Sequence, residues 1–272
     1  AKNVLEKAII EKTKFTNKEQ ESVLKISHEN KTELIKIIKV VHQKNLNTYE
    51  ADLSPTMRYI IDNDLYNTIE ITGETEPSEL VDVIFKEAKI KPTHANIALK
   101  VLSLDIETNK NIEELFCIGL YSHNYEKTFI KSDKKVDGAI SCKTEAEVIS
   151  KFREEVIKFD PDIITGWHVI DFDLNYLRKK FEEHNIPFNF GRTNENIRLK
   201  IEDNFFRNSS ANIPGRQILD GLNLIKDPFI KEAPSIKSKE FKSYSLENVS
   251  QEMLGEGKII KGKDRHKELE EL

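Results

Sequence analysis

The sequence predicts an α/β fold, with a mixed sheet flanked by helices over residues 99–272 and a smaller α+β region before it over residues 1–98. Two observations support this. Strand-like apolar segments first follow one another directly, and further along the chain they alternate with amphipathic helices. Strands joined by short turns pair antiparallel, whereas strands joined by helices tend to lie parallel with both faces covered. Both kinds of connection in one segment therefore indicate a single mixed sheet.

The first 98 residues are rich in Lys, Glu and Asn, with short apolar segments at 34–41 and 57–66. Ser54-Pro55 precedes the second segment, and this pair is typical of a helix start. The polar stretch EAKIKPTHANIALK at 87–100 contains a proline, and we interpret it as the boundary between the two regions.

After this boundary, the segments ALKVLSLDIE, LFCIGLYS and KTFIKS are predicted to be three consecutive strands. Residues 143–159 have helical periodicity, and Thr144-x-x-Glu147 has the pattern of a capping box. The apolar stripe of this helix should face the sheet, and it consists of Val148, Ile149, Phe152, Val156 and Phe159.

The segment DPDIITGW is predicted to form a turn and a strand, and DFDLNYLRKKFEEHN a helix. The apolar face of that helix consists of Leu174, Leu177 and Phe181. Between residues 191 and 229, Gly, Pro and Asn interrupt two short strand-like pieces, IRLKI and RQILDGLNLI, which indicates an inserted hairpin or meander. The last predicted helix is SYSLENVSQEML at 243–254.

Bulk properties restrict the function classes. The chain has 272 residues, of which 33% are charged, and its formal net charge of -5 excludes the overall basic field that duplex-binding proteins use. Any nucleic-acid contact must therefore be local. Cys117 and Cys142 lack metal or redox spacing and are expected to be free thiols in a reducing interior.

Targeting and nucleotide-binding signals are also missing from the sequence. No apolar run approaches the roughly 18 residues that span a bilayer, and the charged first residues do not resemble a signal peptide. We therefore expect a cytoplasmic protein without membrane contact. The sequence contains no P-loop, no G-x-G-x-x-G and no H-E-x-x-H, so nucleoside triphosphate hydrolysis, dinucleotide binding and zinc-protease chemistry have no support.

The segment VLSLDIETNK at 101–110 contains the first candidate site. Side chains alternate between the faces of a strand, so Asp105 and Glu107 should project from one face while Leu104 and Ile106 project from the other. A divalent cation would relieve the repulsion between two such carboxylates, and Mg²⁺ and Mn²⁺ prefer oxygen ligands. The alternative is an ordinary half-exposed strand with a polar face, because Asp-x-Glu is frequent by chance.

Asp173, in GWHVIDFDLNYL, is the second candidate and lies at the predicted junction of strand and helix. An aspartate at the start of a helix is also a favoured N-cap, which stabilises the first turn by about 1 kcal/mol. Asp171 competes for that cap position. Residue type alone leaves both interpretations of Asp173 open.

Together, in this order and spacing, these motifs resemble the 3′–5′ exonuclease domain of the family B DNA polymerases, and most closely their bacterial DNA polymerase II branch. SLDIET with LFCIGLYS is similar to the first exonuclease motif and the strand after it, and DPDIITGWHVIDFDLNYL is similar to the second. YSLENVSQEMLGEGK resembles the segment that leads toward the third motif. TYEADLSPTMRYII at 48–61 resembles the N-terminal domain, so the similarity covers most of the chain from about residue 48.

The resemblance implies an RNase H-like fold and a DEDD-type nuclease, in which two divalent ions, Mg²⁺ or Mn²⁺, lie about 3.5–4 Å apart and grip the scissile phosphate. It implies that Asp105 bridges both ions and that Glu107 holds the nucleophile-side ion and orients the water. Asp173 would serve the second ion largely through its waters. The implied substrate is the 3′ end of single-stranded DNA, with primer–template DNA bound by the parent polymerase.

Three further residues are candidates for substrate binding. The second motif of the family usually has Asn where this chain has His168, and histidine can also donate a hydrogen bond although its shape and protonation differ. We expect His168 either to contact the substrate or to have a structural role. Phe172 and Tyr176 are candidates for shaping the site or stacking on a base, with a position in the core as the alternative.

The third motif of the family is a Tyr followed four residues later by Asp, whereas Tyr244 of this chain is followed by Asn248. We therefore expect a fragment of a replicative or repair polymerase that begins in the N-terminal domain, stops before the third motif, and cleaves weakly or not at all. Two alternatives are a catalytically inert nucleic-acid-binding module and a DEDD exonuclease acting on RNA. The parent polymerase would be associated with the nucleoid of a prokaryote.

Overall fold

The computed structural model describes residues 7–79, 81–202 and 208–257. The expectation for the segment after LGEGK concerns residues 259–272, which lie outside these ranges. No helix in the described ranges is both long enough and apolar enough to span a bilayer.

The chain divides into two compact units. One consists of residues 1–73 and 87–95, and the other of residues 74–86 and 96–272. The long segment of the second unit therefore begins close to the division at residue 98 that the sequence suggested. The grouping of residues 74–86 with the second unit was not expected from the sequence.

Residues 9–92 form short paired strands and two helices. Asn30 caps the first helix, and Ser54 caps the second with Pro55 at its first turn, as the Ser-Pro pair predicted. The elements are β1 Ile9–Thr16, β2 Ser22–Ser27, α1 Lys31–Gln43, α2 Pro55–Asp62, β3 Ile69–Glu76 and β4 Ile84–Pro92. β1 pairs antiparallel with β2, and β3 pairs with β4. β4 extends into the segment 87–100 that was interpreted as the boundary and ends at Pro92, which has no backbone donor.

The strands and helices predicted after residue 99 are present. In chain order the elements are β5 Val101–Thr108, β6 Leu115–Ser122, β7 Tyr125–Lys131, β8 Ile140–Cys142, α3 Glu145–Phe159, β9 Ile163–Gly166, a π-helical turn Ile170–Leu174, α4 Asn175–Glu183, β10 Arg198–Lys200, β11 Ser210–Asn212, β12 Gln217–Asp220, α5 Gly221–Lys226, α6 Pro228–Lys231, α7 Pro234–Lys237 and α8 Leu246–Leu254. β8 was not predicted, because three residues are too few to show a period. In RQILDGLNLI only QILD is a strand, since Asp220 caps a helix that begins at Gly221.

Six of these strands form one mixed sheet in the order β12-β9-β5-β6-β7-β8. The consecutive strands β5, β6 and β7 pair antiparallel, whereas β9 lies parallel to both β5 and β12. This confirms the predicted mixed sheet. β10 pairs antiparallel with β11 outside this sheet, whereas the second predicted piece of the inserted hairpin or meander supplies β12 to the sheet itself.

α3 covers one face of the sheet, and the core lies beneath it. The Thr144 side chain accepts a hydrogen bond from Glu147 N at 3.2 Å, while the Glu147 carboxylate accepts from Lys143 N at 2.8 Å, one residue earlier than in a standard capping box. Four members of the predicted stripe are buried and Phe159 is half-buried. Each fully buried side chain of this size contributes about 1.5–3 kcal/mol.

An ion-pair network holds the turn before β9. Asp160 has a left-handed backbone with a φ of 53° and accepts hydrogen bonds from Arg192 at 2.8 Å and from Arg216 at 2.7 Å. Arg216 is buried and also donates to the Phe190 carbonyl at 2.9 Å. Hydrogen bonds from Arg192, ahead of those from Arg216, lower the pKa of Asp160 from 3.8 to about 2.

Asp160→Asn is therefore expected to cost about 1 kcal/mol of unfolding free energy at pH 7, after allowance for solvent screening of this half-exposed carboxylate. Asparagine tolerates the left-handed backbone, so the change removes the charge and the acceptor Oδ2, which takes a hydrogen bond from Arg192 at 3.2 Å, without straining the turn. Because the folded pKa is lowered, the stabilisation is complete above about pH 4 and disappears as the pH falls through about 2. Urea denaturation at pH 7 and pH 2 measures this, with the exposed Asp133→Asn as control. An equal deficit at both pH values would contradict it.

Candidate active site

β5 carries the two predicted carboxylates on the face opposite the core. Leu104 and Ile106 are buried, whereas Asp105 is exposed and Glu107 is half-buried. The predicted alternation of β5 is therefore confirmed, and both carboxylates project from one face.

The neighbouring strand β6 contributes the residues that lie beside these two carboxylates on the same face of the sheet. Asp105 lies opposite Gly119, and Glu107 lies opposite Cys117. Burial, followed by the charge of Asp105, raises the pKa of the Cys117 thiol to about 11. Cys117 is free, as predicted, and is a neutral thiol at neutral pH rather than an anionic ligand.

The approach of β9 to β5 brings the second motif to the same place. A Cβ at Gly166 would lie 2.5 Å from the Leu104 carbonyl oxygen, so only glycine lets the end of β9 approach β5 this closely. Two residues later, His168 has a left-handed backbone with a φ of 61°. Histidine and asparagine are both enriched in this conformation, so His168 fulfils the backbone requirement at the position where the resembling family usually has Asn.

Asp173 lies in the π-helical turn and is 2% exposed. Its Oδ1 accepts a hydrogen bond from Ile106 N at 3.0 Å, which places it beside the strand that carries Asp105 and Glu107. Burial, followed by the negative charge of Asp105, raises the pKa of Asp173 to about 8. The alternative role as an N-cap is wrong for both Asp173 and Asp171, because the N-cap residues are Val169 for the turn and Leu174 for α4.

Asp220, at the end of β12, is a site residue that the sequence analysis missed. It is 4% exposed, its Oδ1 accepts from Leu222 N at 2.9 Å, and its Oδ2 accepts from Ile170 N at 3.2 Å. One carboxylate thus caps α5 and holds the first residue of the π-helical turn. A capping aspartate before a helix could have been found from the sequence, but its bond to Ile170 could not.

His168, Asp171 and Asp220 meet at the π-helical turn, with one ligand atom from each within 4.8 Å of the others. His168 Nδ1 lies 3.8 Å from Asp171 Oδ2, and the Ser209 hydroxyl donates to Asp171 Oδ1. A second such group consists of Glu145, Glu183 and His184. Among the described side chains, neither group includes Asp105 or Glu107.

The two aromatic candidates differ in exposure. Phe172, beside Asp173, is 36% exposed and can contact a ligand. Tyr176 is 7% exposed and lies in the hydrophobic core, which favours the core position over stacking on a base. On α4 it is buried together with Leu177 and Phe181, and the Lys180 ammonium lies over its ring, 5.8 Å from the centroid.

A buried polar cluster that the sequence analysis also missed joins α3 to α4. Glu145 accepts hydrogen bonds from Leu115 N at 2.6 Å, from Lys180 at 3.2 Å and from His184 at 2.8 Å. Burial would raise the pKa of Glu145, but the hydrogen bonds from His184, Leu115 and Lys180 lower it overall. The Lys180 ammonium therefore lies where a metal ion bound by Glu145, Glu183 and His184 would lie.

Comparisons with known proteins agree with the resemblance seen in the sequence. Residues 110–249 match the family described as DNA polymerase family B, exonuclease domain. The match includes His168 and Asp173 and begins after Asp105 and Glu107.

Individual relatives extend the similarity beyond that range. DNA polymerase II of Escherichia coli is 32% identical over 84% of this chain and 28% of its own length. A DNA polymerase of Archaeoglobus fulgidus is 30% identical over 76% of this chain and 24% of its own. The solved family B DNA polymerase of Pyrobaculum calidifontis shares the fold with a TM-score of 0.58 and 19% identity, over 90% of this chain and 30% of that one. The chain thus spans less than a third of each relative.

Proposed function

Because this chain belongs to the family B DNA polymerases and has the fold of their exonuclease domain, we propose that it is the 3′–5′ proofreading exonuclease part of a DNA-dependent DNA polymerase. It would hydrolyse the 3′-terminal phosphodiester of single-stranded DNA. The observation that carries the proposal is the hydrogen bond from Ile106 N to Asp173, which joins the buried carboxylate of the second motif to the strand of the first.

The charges around Asp173 fit a divalent cation. Its pKa is raised by burial, by Asp105 and, more weakly, by Asp220, so the neighbouring charges are negative. A cation bound beside these carboxylates would remove the repulsion, and hard oxygen donors suit Mg²⁺ or Mn²⁺. We infer that Asp105, Glu107 and Asp173 hold two such ions.

Bound divalent ions would supply charge neutralisation for the attacking water and the leaving 3′ oxygen. The side chains of this protein would orient the attacking water, the phosphate and the terminal nucleotide. Glu107 would accept a hydrogen bond from the attacking water. Asp105 would help to hold the divalent ions beside the scissile phosphate. His168, half-exposed on the same side as Asp173, would donate to the terminal nucleotide, and Phe172 would offer an apolar surface for its base.

The proposed partner is the unpaired 3′ end of a DNA strand, with primer–template DNA bound by the whole polymerase. The net charge of -5 is compatible with this, because a few contacts to one strand suffice where duplex binding would need a basic surface. We place this activity with the chromosome, in the cytoplasm of a prokaryote.

The site assignment is tested with a 5′-labelled single strand in Mn²⁺. We expect slow stepwise shortening from the 3′ end, in line with the weak cleavage expected from the sequence, and Glu107→Gln should slow it further by at least about 100-fold, since the variant keeps the side-chain shape and loses the charge. The matched control is Glu113→Gln, an exposed carboxylate in the turn after β5. Equal rates for wild type and Glu107→Gln would refute the assignment.

One observation favours the alternative of an inert DNA-binding module. Tyr244 precedes α8 and contacts Phe241, and Asn248 accepts a hydrogen bond from Ser243 N at 3.1 Å. This pair therefore contributes no carboxylate to the site. Mn²⁺-dependent binding of the labelled strand without shortening would favour the inert module, and preferential shortening of an RNA strand of the same sequence would favour an RNA exonuclease.

A further inference from the structure

Gly119 lies directly opposite Asp105 in the antiparallel pair of β5 and β6. Directly opposite residues share a face, so position 119 belongs to the face that carries Asp105 and Glu107. On its other side Gly119 pairs with Thr128 of β7. A side chain at position 119 would stand beside the Asp105 carboxylate, because Cβ atoms in such pairs are about 4.5–5.5 Å apart.

The backbone does not require a glycine here. The φ of Gly119 is not in the left-handed region. Among the described residues, a Cβ at this position would meet the Asp105 carbonyl oxygen at 3.8 Å, which is an ordinary contact. Gly166 differs, since a Cβ there would collide with backbone at 2.5 Å. A glycine inside a strand weakens the strand, because it gains entropy on unfolding and has no side chain to pack. The fold would thus tolerate, and the strand would favour, a larger residue at 119.

The space left by the missing side chain of Gly119 lies on one face of the sheet, as its neighbours on β6 show. Ile118 and Leu120 are buried and project into the core on the other face. A glycine in a strand interior often marks a bulge, a bend, or a place where a ligand or another backbone approaches closely, and the register of β5 and β6 has no bulge at Gly119. The only face that gains room from Gly119 is the one that carries the proposed ion-binding carboxylates.

We propose that Gly119 keeps open the space beside Asp105 in which the terminal phosphodiester of a single-stranded DNA 3′ end is held. The inference rests on the proposed exonuclease function and adds a specificity-determining residue to it. Gly119 admits the substrate through the absence of a side chain, and it holds neither the ions nor the water.

The test compares wild type with Gly119→Ala, Gly119→Val and Ser122→Val, all in the full chain. Ser122→Val is the matched control, because it adds a β-branched side chain to the other face of the same strand. Binding of a 5′-fluorescein single-stranded decamer, with a 3′-terminal phosphorothioate to slow hydrolysis, is followed by anisotropy in Mn²⁺. Mn²⁺ affinity without DNA and the thermal unfolding midpoint are measured in parallel.

We expect Gly119→Val to weaken DNA binding by at least about 10-fold and Gly119→Ala to weaken it less. Mn²⁺ affinity should change by less than about 3-fold, and the unfolding midpoint should stay the same or rise. Ser122→Val should bind as wild type does. This pattern supports a steric role at the substrate position.

Two kinds of failure are distinguishable. Normal DNA binding by Gly119→Val, or a lowered unfolding midpoint in both Gly119 variants, would overturn this inference and leave the proposed function standing. A wild-type chain without Mn²⁺-dependent DNA binding, or a Glu107→Gln variant that shortens a cleavable strand as fast as wild type does, would overturn the proposed function and this inference with it.

Discussion

Asp173→Asn is expected to abolish Mn²⁺-dependent shortening of single-stranded DNA and, in EDTA at pH 8, to raise the free energy of unfolding by on the order of 2 kcal/mol. Asp173 is 2% exposed, and its pKa of about 8 reflects burial first and the charge of Asp105 second. Asparagine keeps an oxygen for the hydrogen bond from Ile106 N and removes the buried negative charge. The protein would thus be more stable without the group that the proposed reaction requires.

The pH dependence of this gain has a defined sign. Because the folded pKa of Asp173 lies above the ordinary value of 3.8, the folded chain retains a proton that the unfolded chain releases. Wild type should therefore lose stability as the pH rises from about 4 to about 8, whereas Asp173→Asn should not. The advantage of the variant is absent below about pH 4 and largest above about pH 8.

Saturating Mn²⁺ should make wild type more stable to unfolding than Asp173→Asn, since a ligand stabilises only the chain that binds it. Urea denaturation at pH 4, 6 and 8, with EDTA or with Mn²⁺, measures both effects. Glu113→Gln serves again as a charge-matched control outside the site. A variant less stable than wild type in EDTA at pH 8 would contradict the burial argument, and equal stabilisation of both chains by Mn²⁺ would contradict the ligand assignment.

Glu145→Ala is expected to destabilise the fold by about 3–5 kcal/mol, because it removes one partner of a buried ion pair. Lys180 is 7% exposed and would be left beside Glu183 alone, 3.0 Å away. Leu115 N would also lose its acceptor, at a residue that is 0% exposed. Lys180 would thus keep only an exposed ionic partner, and the buried Leu115 amide would lose its Glu145 acceptor, which costs more than the net strength of that bond.

Lys180→Met should cost less, about 1–3 kcal/mol, because Glu145 keeps its hydrogen bonds from Leu115 and His184. The double variant should be more stable than the sum of the two single losses predicts. Urea denaturation of wild type, the two single variants and the double variant measures the coupling between Glu145 and Lys180. The control is Glu195→Ala, which breaks an exposed pair with Arg198 and should change stability by less than about 1 kcal/mol. Additive losses in the double variant would show that Glu145 and Lys180 act independently.

The periodicity of the sequence was sufficient for most of the sheet and for the main helix. The two faces of β5, the buried stripe of α3 and the caps at Ser54 and Thr144 all depend on residues within a few positions of one another. Elements too short to show a period were missed, as with β8. α5 was misassigned as strand because Asp220 was not recognised as a cap.

The candidate site was only partly predictable. Asp105 and Glu107 share a face because every strand alternates, so the sequence sufficed for that pair. The role of Asp173 stayed open, since an aspartate before a helix is equally suited to capping it. Tyr176 was a reasonable aromatic candidate by position, and only the packing of α4 showed it to be buried.

The sequence by itself determined the strands, the helix faces and the pair of carboxylates on β5, because these follow from dihedral preferences and side-chain periods that act over a few residues. The tertiary structure alone decided that Asp173 meets Ile106, 67 residues away, and that Asp220 meets Ile170, 50 residues away. Such contacts depend on the close approach of β9 to β5 at Gly166 and on the π-helical turn that follows. Hydrogen bonds are made or lost within fractions of an ångström, a precision that no local pattern carries.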